Sequence, residues 1–259
     1  SPISVSLVAA LCTCLRVLPV SVSLFCTTRP PPTSTLFPSP PLCRLSFPVS
    51  TRCKTFTEIV VNQGSHHYVI GTRLYMNEGK VIRIDSLVTD EGDWLFNANA
   101  YQKYASAEDW SMLHPYQHTS PAEMIRGANA YLDAFSDKFT TIPWGIPCAR
   151  LEGGAYTNRN DDPQASCEIG IPAGILYIVN RDYLVDEEKG VAMFRGFIDH
   201  KGVLDEYTLT DGTKTHSIFR EPQTWGFLEM VAIRDDCIAS VVANFVQSPY
   251  KMNSPWNPR

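Results

Sequence analysis

Two segments far apart in the chain show the pattern of the same strand, turn and strand unit. They cover residues 71–88 and 227–244, and each has β-branched residues at alternate positions around a polar turn. Because a period of two is typical of strands, both segments predict β-hairpins. A third hairpin is predicted from residues 175–186 and 191–198, on either side of a polar turn. The repetition favours two similar α+β modules.

One long helix is predicted between these hairpins. Ser120 is a capping residue, followed by Pro121 at the first helical position and Glu123 in the first turn, where the helix dipole favours negative charge. Apolar residues then recur every three or four positions, up to about residue 138: Met124, Ile125, Ala128, Tyr131, Leu132 and Phe135. This pattern is typical of a helix packed on a sheet. A shorter helical turn is expected at residues 106–110.

Residues 1–53 have a different composition from the rest of the chain. Nine of the 19 prolines fall in the first fifty residues, and no Asp, Glu or Gly precedes Glu58. This composition predicts a disordered or loosely ordered Ser/Pro-rich tail. Its apolar part, residues 3–25, leaves two alternatives open: a remnant of a secretory signal, or an artefactual or truncated start. We therefore expect a tail over 1–53, an incomplete first module over 54–118 and a second module over 119–259.

The charge of the folded part limits the classes of partner. All 27 acidic residues and 17 of the 22 basic residues lie from Glu58 onward, which gives that part a formal charge of −10. Such a balance disfavours nucleic acid and anionic membranes as partners. We expect a small molecule or another protein instead, and no membrane span in the folded part.

The cysteines and histidines do not predict a metal site. No CxxC pair occurs, and no histidine stands at metal-ligand spacing with acidic or cysteine partners. Phosphate-binding and dinucleotide-binding glycine motifs are also missing from the sequence, so we expect neither metal nor cofactor. Cys148 and Cys167 flank a polar loop at residues 156–166, whose ends approach each other if the flanking strands pair. A disulfide and two buried thiols both fit this arrangement.

A further group of motifs resembles a known fold family. A helix, the pattern Trp-Gly-x-Pro-Cys-x-Arg-x-Glu-Gly-Gly-x-Tyr and two long hairpins resemble the SnoaL-like, or nuclear-transport-factor-two-like (NTF2-like), superfamily. More narrowly, four segments are similar to an uncharacterised, mostly fungal and often secreted family with two such modules: residues 92–98, 143–145, 148–156 and 180–187.

This resemblance implies an α+β fold in which helices back a strongly curved, cone-shaped mixed sheet. The first of two modules should be incomplete, because the tail stands where its helices are expected. An incomplete module implies an exposed apolar sheet face or a partner chain, such as a homodimer formed through the sheet. The resemblance also implies an extracellular or secretory-pathway location.

The resemblance further implies a mostly apolar cone in which a carboxyl or imidazole acts as a general acid or base. Glu229 is our first candidate, because strand alternation places it with the apolar residues Phe227 and Val231. Arg150 and Glu152, two apart on a predicted strand, are the other catalytic candidates; a structural ion pair is the alternative. Candidate ligand-binding residues are Tyr131, Trp144, Tyr156, Arg181, Tyr183 and Asn244.

Three hypotheses for the function follow. The first is a cofactor-free lyase, isomerase or hydrolase that acts by general acid/base catalysis on a small apolar metabolite. The second is a secreted, non-catalytic protein that uses the cone as a ligand pocket or the sheet for dimerisation. The third is a truncated gene product without independent activity.

Overall fold

The computed structural model describes residues 3–14, 24–26, 43–45, 53–63, 66–78, 80–168, 170–172, 174–201, 206–209, 211–216 and 221–256. These residues form the following helices and strands: β1 (Ile3–Cys14), β2 (Leu24–Cys26), β3 (Cys43–Leu45), β4 (Cys53–Gln63), β5 (His66–Asn77), β6 (Lys80–Thr89), α1 (Ala98–Ala105), a 3-10 turn (Pro115–Gln117), α2 (Pro121–Ala134), β7 (Trp144–Glu152), β8 (Ala155–Tyr156), β9 (Ile178–Asp186), β10 (Val191–His200), β11 (Tyr207–Thr208), β12 (Lys214–Thr215), β13 (Gln223–Arg234) and β14 (Cys237–Pro249). Within the tail expected over residues 1–53, residues 3–14, 24–26 and 43–45 form strands, and residue 53 begins β4. The other residues of this expected tail lie outside the described residues.

Two sheets make up most of the structure. The larger sheet has the strand order β8-β7-β14-β13-β10-β9, with β7 parallel to β14 and all other neighbours antiparallel. The smaller sheet has the order β1-β4-β5-β6 and is antiparallel throughout. The predicted α+β class with a helix-backed mixed sheet is confirmed. Register shifts between β9 and β10, β13 and β14, and β14 and β7 mark bulges that bend the larger sheet.

Helix α2 begins where the sequence predicts and ends earlier. The Ser120 side chain accepts a hydrogen bond from the backbone N–H of Glu123, which satisfies one of the unpaired donors of the first turn. The helix ends at Ala134, short of the predicted residue 138. Helix α1 lies at Ala98–Ala105, capped by Asn97, and so precedes the helical turn expected at residues 106–110.

The elements pack in three layers around two apolar cores. Helix α2 covers one face of the larger sheet, with Met124, Ala128 and Leu132 buried against it. The smaller sheet and α1 pack on the opposite face, where Phe56 and Tyr101 share a core with Met230. The two predicted modules therefore share a hydrophobic core.

Edge strand β6 of the smaller sheet exposes apolar side chains. On β6, Val81, Ile82, Ile84 and Val88 are 47%, 66%, 61% and 47% exposed. From Ile84 onward, exposed residues alternate with buried Asp85 and Leu87, which is typical of a strand that packs on one side only. The incomplete first module stays a prediction.

Candidate functional site

A cavity of about 280 Å³ lies between α2 and the larger sheet. The volume falls near the lower end of the range typical of small-molecule sites. Most of its wall is apolar or aromatic and includes Phe135, Leu176, Ile178, Phe227 and Phe245. Polar groups enter from three directions: Tyr131 from α2, Glu229 from β13, and Arg150 with Glu152 from β7.

Glu229 is the central polar group of the cavity. It is 3% exposed, and its Oε1 accepts a hydrogen bond of 3.0 Å from the hydroxyl of Tyr131. The pKa of Glu229 is raised to about 8, chiefly by burial and then by the nearby carboxylate of Glu152. The Tyr131 hydrogen bond and the charge of Arg150 act in the opposite direction. At neutral pH this carboxyl is therefore mostly protonated.

Arg150 and Glu152 lie side by side on β7. Arg150 Nε is 3.5 Å from Glu152 Oε1, and the two side chains are 7% and 20% exposed. Burial lowers the pKa of Arg150, but Glu152, Tyr131 and Glu229 together outweigh it and raise that pKa above the ordinary value. A permanent positive charge therefore lies in the cavity that holds the neutral carboxyl of Glu229.

A disulfide fixes the loop after β8 beside Arg150 of the cavity wall. A disulfide joins Cys148 of β7 to Cys167, with the Cα atoms 5.1 Å apart, so the disulfide alternative is confirmed. A Cβ at Gly170, just beyond this bond, would lie 3.6 Å from Arg150 Nη2. The disulfide thus holds the loop against the arginine.

Two glycines let β7 turn sharply into β8. Gly153 and Gly154 have φ values of +58° and +143°, which L side chains rarely adopt. A Cβ at Gly153 would also lie 2.3 Å from the carbonyl oxygen of Trp94. This close approach brings Trp94 to the cavity wall, where its ring stacks on Trp225 at 5.2 Å.

The mouth of the cavity was not predicted from the sequence. His200, Tyr207, Thr215 and His216 line it, and β11 pairs with β12 to form a short hairpin there. The ring of His200 stacks on Trp225 at 5.8 Å, and burial lowers the pKa of this histidine. The period of two that links Trp225 to Phe227 and Glu229 could have identified Trp225 as a wall residue. The loop residues carry no comparable signal.

Of the six expected ligand-binding residues, Tyr131 lines the cavity and the other five lie outside its wall. Trp144 packs edge-on against Tyr131, with ring centroids 5.5 Å apart. The Tyr156 ring stacks on Tyr104 of α1 at 4.2 Å. Neither residue lines the cavity. Asn244 lies on the opposite face of the larger sheet, where it contacts Glu58 of the smaller sheet.

Arg181 and Tyr183 connect β9 to α2. Arg181 Nη1 donates to Asp133 Oδ1 at 2.7 Å and to Asn129 Oδ1 at 2.9 Å. The Tyr183 hydroxyl donates to the same Asn129 oxygen at 2.6 Å. These bonds fix the helix to the sheet edge, and neither side chain lines the cavity.

Asn244 belongs to a second buried carboxyl site, between the two sheets. The Tyr101 hydroxyl donates to Glu58 Oε2 at 2.7 Å, and Asn244 Nδ2 donates to Glu58 Oε1 at 2.6 Å. Burial raises the pKa of Glu58 to about 7, against the effect of these two hydrogen bonds. The fold therefore holds two buried pairs of a helix tyrosine and a strand glutamate, and only the pair on the α2 side lines the cavity described above.

Part of the chain is similar to a known family and to a solved structure. Residues 117–245, just under half of the chain, match a family described as a domain of unknown function, DUF8021. No curated protein matches the chain. A chain in the crystal structure of the C. albicans Mtr2-Mex67 M domain complex is similar over 50% of this chain and 97% of its own length, at 10% identity and a TM-score of 0.30.

Two general properties concern the described part of the chain. No helix there is long and apolar enough to cross a membrane. The same residues include no group of three or more His, Cys, Asp or Glu side chains placed to hold a metal ion.

Proposed function

We propose that the cavity binds a small, largely apolar molecule and that Glu229 exchanges a proton with it, as in a cofactor-free lyase, isomerase or hydrolase. The observation that carries this proposal is a buried carboxyl with a pKa near neutrality in a cavity large enough for a ligand. Perturbed carboxyl groups in apolar clefts are typical of general acid/base sites.

The roles of the residues follow from their charges. A mostly protonated Glu229 donates its proton to an oxygen of the ligand, and after losing the proton it serves as the base. Arg150 stabilises negative charge that develops on the ligand, since its guanidinium is buried and permanently charged. Glu152 holds Arg150 in place, and Tyr131 orients the Glu229 carboxyl through Oε1.

The proposal extends to the fold family and the location of the protein. The helix-backed, bent mixed sheet with an apolar cavity supports a SnoaL-like assignment for the part of the chain that includes α2 and the larger sheet. The Cys148–Cys167 disulfide is compatible with an extracellular protein. A homodimer through the exposed β6 face stays a prediction, which sedimentation velocity over a range of concentrations tests.

The test begins with ligands and then turns to catalysis. The full chain is screened by thermal shift against small ketones, lactones, epoxides and phenols, and the hits are assayed for turnover. Glu229→Gln keeps the shape of the side chain and removes the exchangeable proton, so we expect it to lower turnover by about 10²-fold or more. Glu123→Gln, an exposed change at the start of α2, is the matched control and should leave turnover unchanged.

The same experiment separates the enzyme from the non-catalytic binding protein. A hit that binds wild type and Glu229→Gln equally, with no conversion by either protein, would overturn the catalytic part and leave ligand binding. Turnover that Glu229→Gln leaves intact would remove Glu229 from the mechanism.

A further inference from the structure

A cluster of charged residues lies between the two sheets, on the side of Glu58 that leads to the turn between β5 and β6. Lys54, Tyr75 and Arg83 are neighbours across β4, β5 and β6, and Arg73 and Asp85 form the next row. These side chains point towards the larger sheet, where Asp182 of β9 pairs with Arg195 of β10. We name these seven residues the intersheet charge cluster: Lys54, Arg73, Tyr75, Arg83, Asp85, Asp182 and Arg195.

Each carboxylate of the cluster is shared by several cations. Asp182 lies 3.1 Å from Arg73 Nη2, 3.2 Å from Lys54 Nζ and 3.5 Å from Arg195 Nη2. Asp85 lies 2.8 Å from Arg195 Nη1 and 2.7 Å from Arg83 Nε. Two carboxylates therefore serve four cations.

The cluster has an excess of two positive charges, and two of its four cations are buried. The Arg73 and Arg195 side chains are 0% and 5% exposed. Burying charge without full compensation is costly, and desolvation lowers the pKa of Arg73. The Nε atoms of both arginines also have no hydrogen-bond partner among the described residues. The excess positive charge of the cluster and the unpaired N–H groups of the two arginines thus both favour binding of a further hydrogen-bond acceptor.

The cluster opens to solvent on one side. Lys54, Arg83 and Asp182 are 37%, 44% and 29% exposed. Lys54 Nζ and Arg83 Cζ lie 5.5 Å and 5.2 Å from the centre of the Tyr75 ring, so two cations flank one aromatic ring at this opening.

We propose that the intersheet charge cluster binds a phosphate group at the opening formed by Lys54, Tyr75 and Arg83. A dianion balances the two excess charges, whereas a carboxylate balances one of them. Arginine and lysine side chains supply the donors that phosphate oxygens accept best. The site is separate from the cavity of Glu229, because it lies on the other face of the larger sheet.

The test measures the thermal stability of the full chain as inorganic phosphate replaces chloride at constant ionic strength. Constant ionic strength removes general screening, so a specific site appears as a saturable rise in Tm. We expect Arg83→Gln and Lys54→Gln each to weaken phosphate binding by about tenfold or more. Arg126→Gln, an exposed change on α2, is the control and should leave binding unchanged.

The Asp182→Asn variant gives a result that a structural role would not produce. Removal of one negative charge increases the cationic excess, so this variant should bind phosphate about tenfold more tightly than wild type. Acetate in place of phosphate should bind more weakly, and phenyl phosphate distinguishes a site for phosphate monoesters from one for the free ion.

Three outcomes would overturn the proposal. They are equal stabilisation by phosphate and chloride, phosphate binding that neither Arg83→Gln nor Lys54→Gln weakens, and unchanged or weaker binding by Asp182→Asn. Because Lys54 and Arg83 are partly exposed, at least one of their variants should fold and permit the comparison.

Discussion

Replacement of Glu58 by glutamine should flatten the dependence of stability on pH between about pH 5 and pH 7. Burial raises the pKa of Glu58 in the folded protein to about 7, whereas an unperturbed glutamate has a pKa of 4.5. The folded state therefore holds this proton more tightly than the unfolded state. Stability from Glu58 is complete below pH 4.5 and is lost as pH rises towards 7.

The size of this effect follows from the two pKa values. The interval between them corresponds to about 3 kcal/mol of unfolding free energy, at about 1.4 kcal/mol per pH unit. Glu58→Gln cannot gain a charge, so the variant should become more stable relative to wild type by this amount from pH 4.5 to pH 7.5. The Glu229 carboxyl titrates in both proteins and cancels in the difference.

Urea unfolding at half-unit steps from pH 4.5 to 8 measures this difference. Glu123→Gln, at a side chain that is 45% exposed, is the control for removing a carboxylate at the surface. The quantity to compare is the free energy of unfolding of wild type minus that of Glu58→Gln. If this difference changes by less than about 1 kcal/mol from pH 4.5 to 8, Glu58 is not held as a neutral acid.

Three further predictions concern the cavity side of the molecule. Tyr131→Phe removes a hydrogen bond that lowers the pKa of Glu229, so that pKa should rise above about 8, as followed by the carboxyl ¹³C shift; an unchanged titration would contradict the assigned bond. Ser120→Ala removes the cap of α2 and should lower the free energy of unfolding in urea by about 1 kcal/mol. An unchanged free energy would contradict this and mean that water replaces the hydroxyl fully. The double variant Cys148→Ser/Cys167→Ser opens a disulfide loop with a sequence separation of 19 and should cost about 3 kcal/mol, measured against wild type under oxidising conditions; a cost near zero would mean that the loop is ordered without the bond.

The predictable part of the fold depends on local signals. Ser120 and Pro121 mark the start of α2, and a side-chain period of two marks the strands of the hairpins. Both signals act within a few residues, so the sequence alone carries them. Helix α1 was not predicted, because Asn97 and Ala98 follow an aromatic segment without a clear helical period.

Asn244 shows why the face of a residue is harder to predict than its strand. In a regular hairpin with the turn at residues 235–236, Asn244 would pair with Phe227 and share the face of Glu229. One extra residue in β14, Ala239, shifts the register, so that Asn244 pairs with Leu228 and faces the smaller sheet. A one-residue shift reverses every side chain beyond it, and no residue type in this segment announces the bulge.

The candidate site was predicted in its centre and missed at its mouth. Glu229, Arg150 and Glu152 were found because strand alternation places them on the cavity face. His200 and His216 come to the mouth through contacts between segments distant in sequence, which periodicity does not describe.

Strand β13 is buried on both faces from Thr224 to Ile233, because a layer lies on each side of the larger sheet. Such a strand has no position where natural variation can introduce a charged residue at little cost, so its sequence should drift slowly over evolutionary time at odd and even positions alike. On β6, by contrast, exposed and buried residues alternate from Ile84 to Thr89, and drift there should follow a period of two. Two strands with the same hairpin pattern thus evolve under different constraints, and the number of layers that cover them makes the difference.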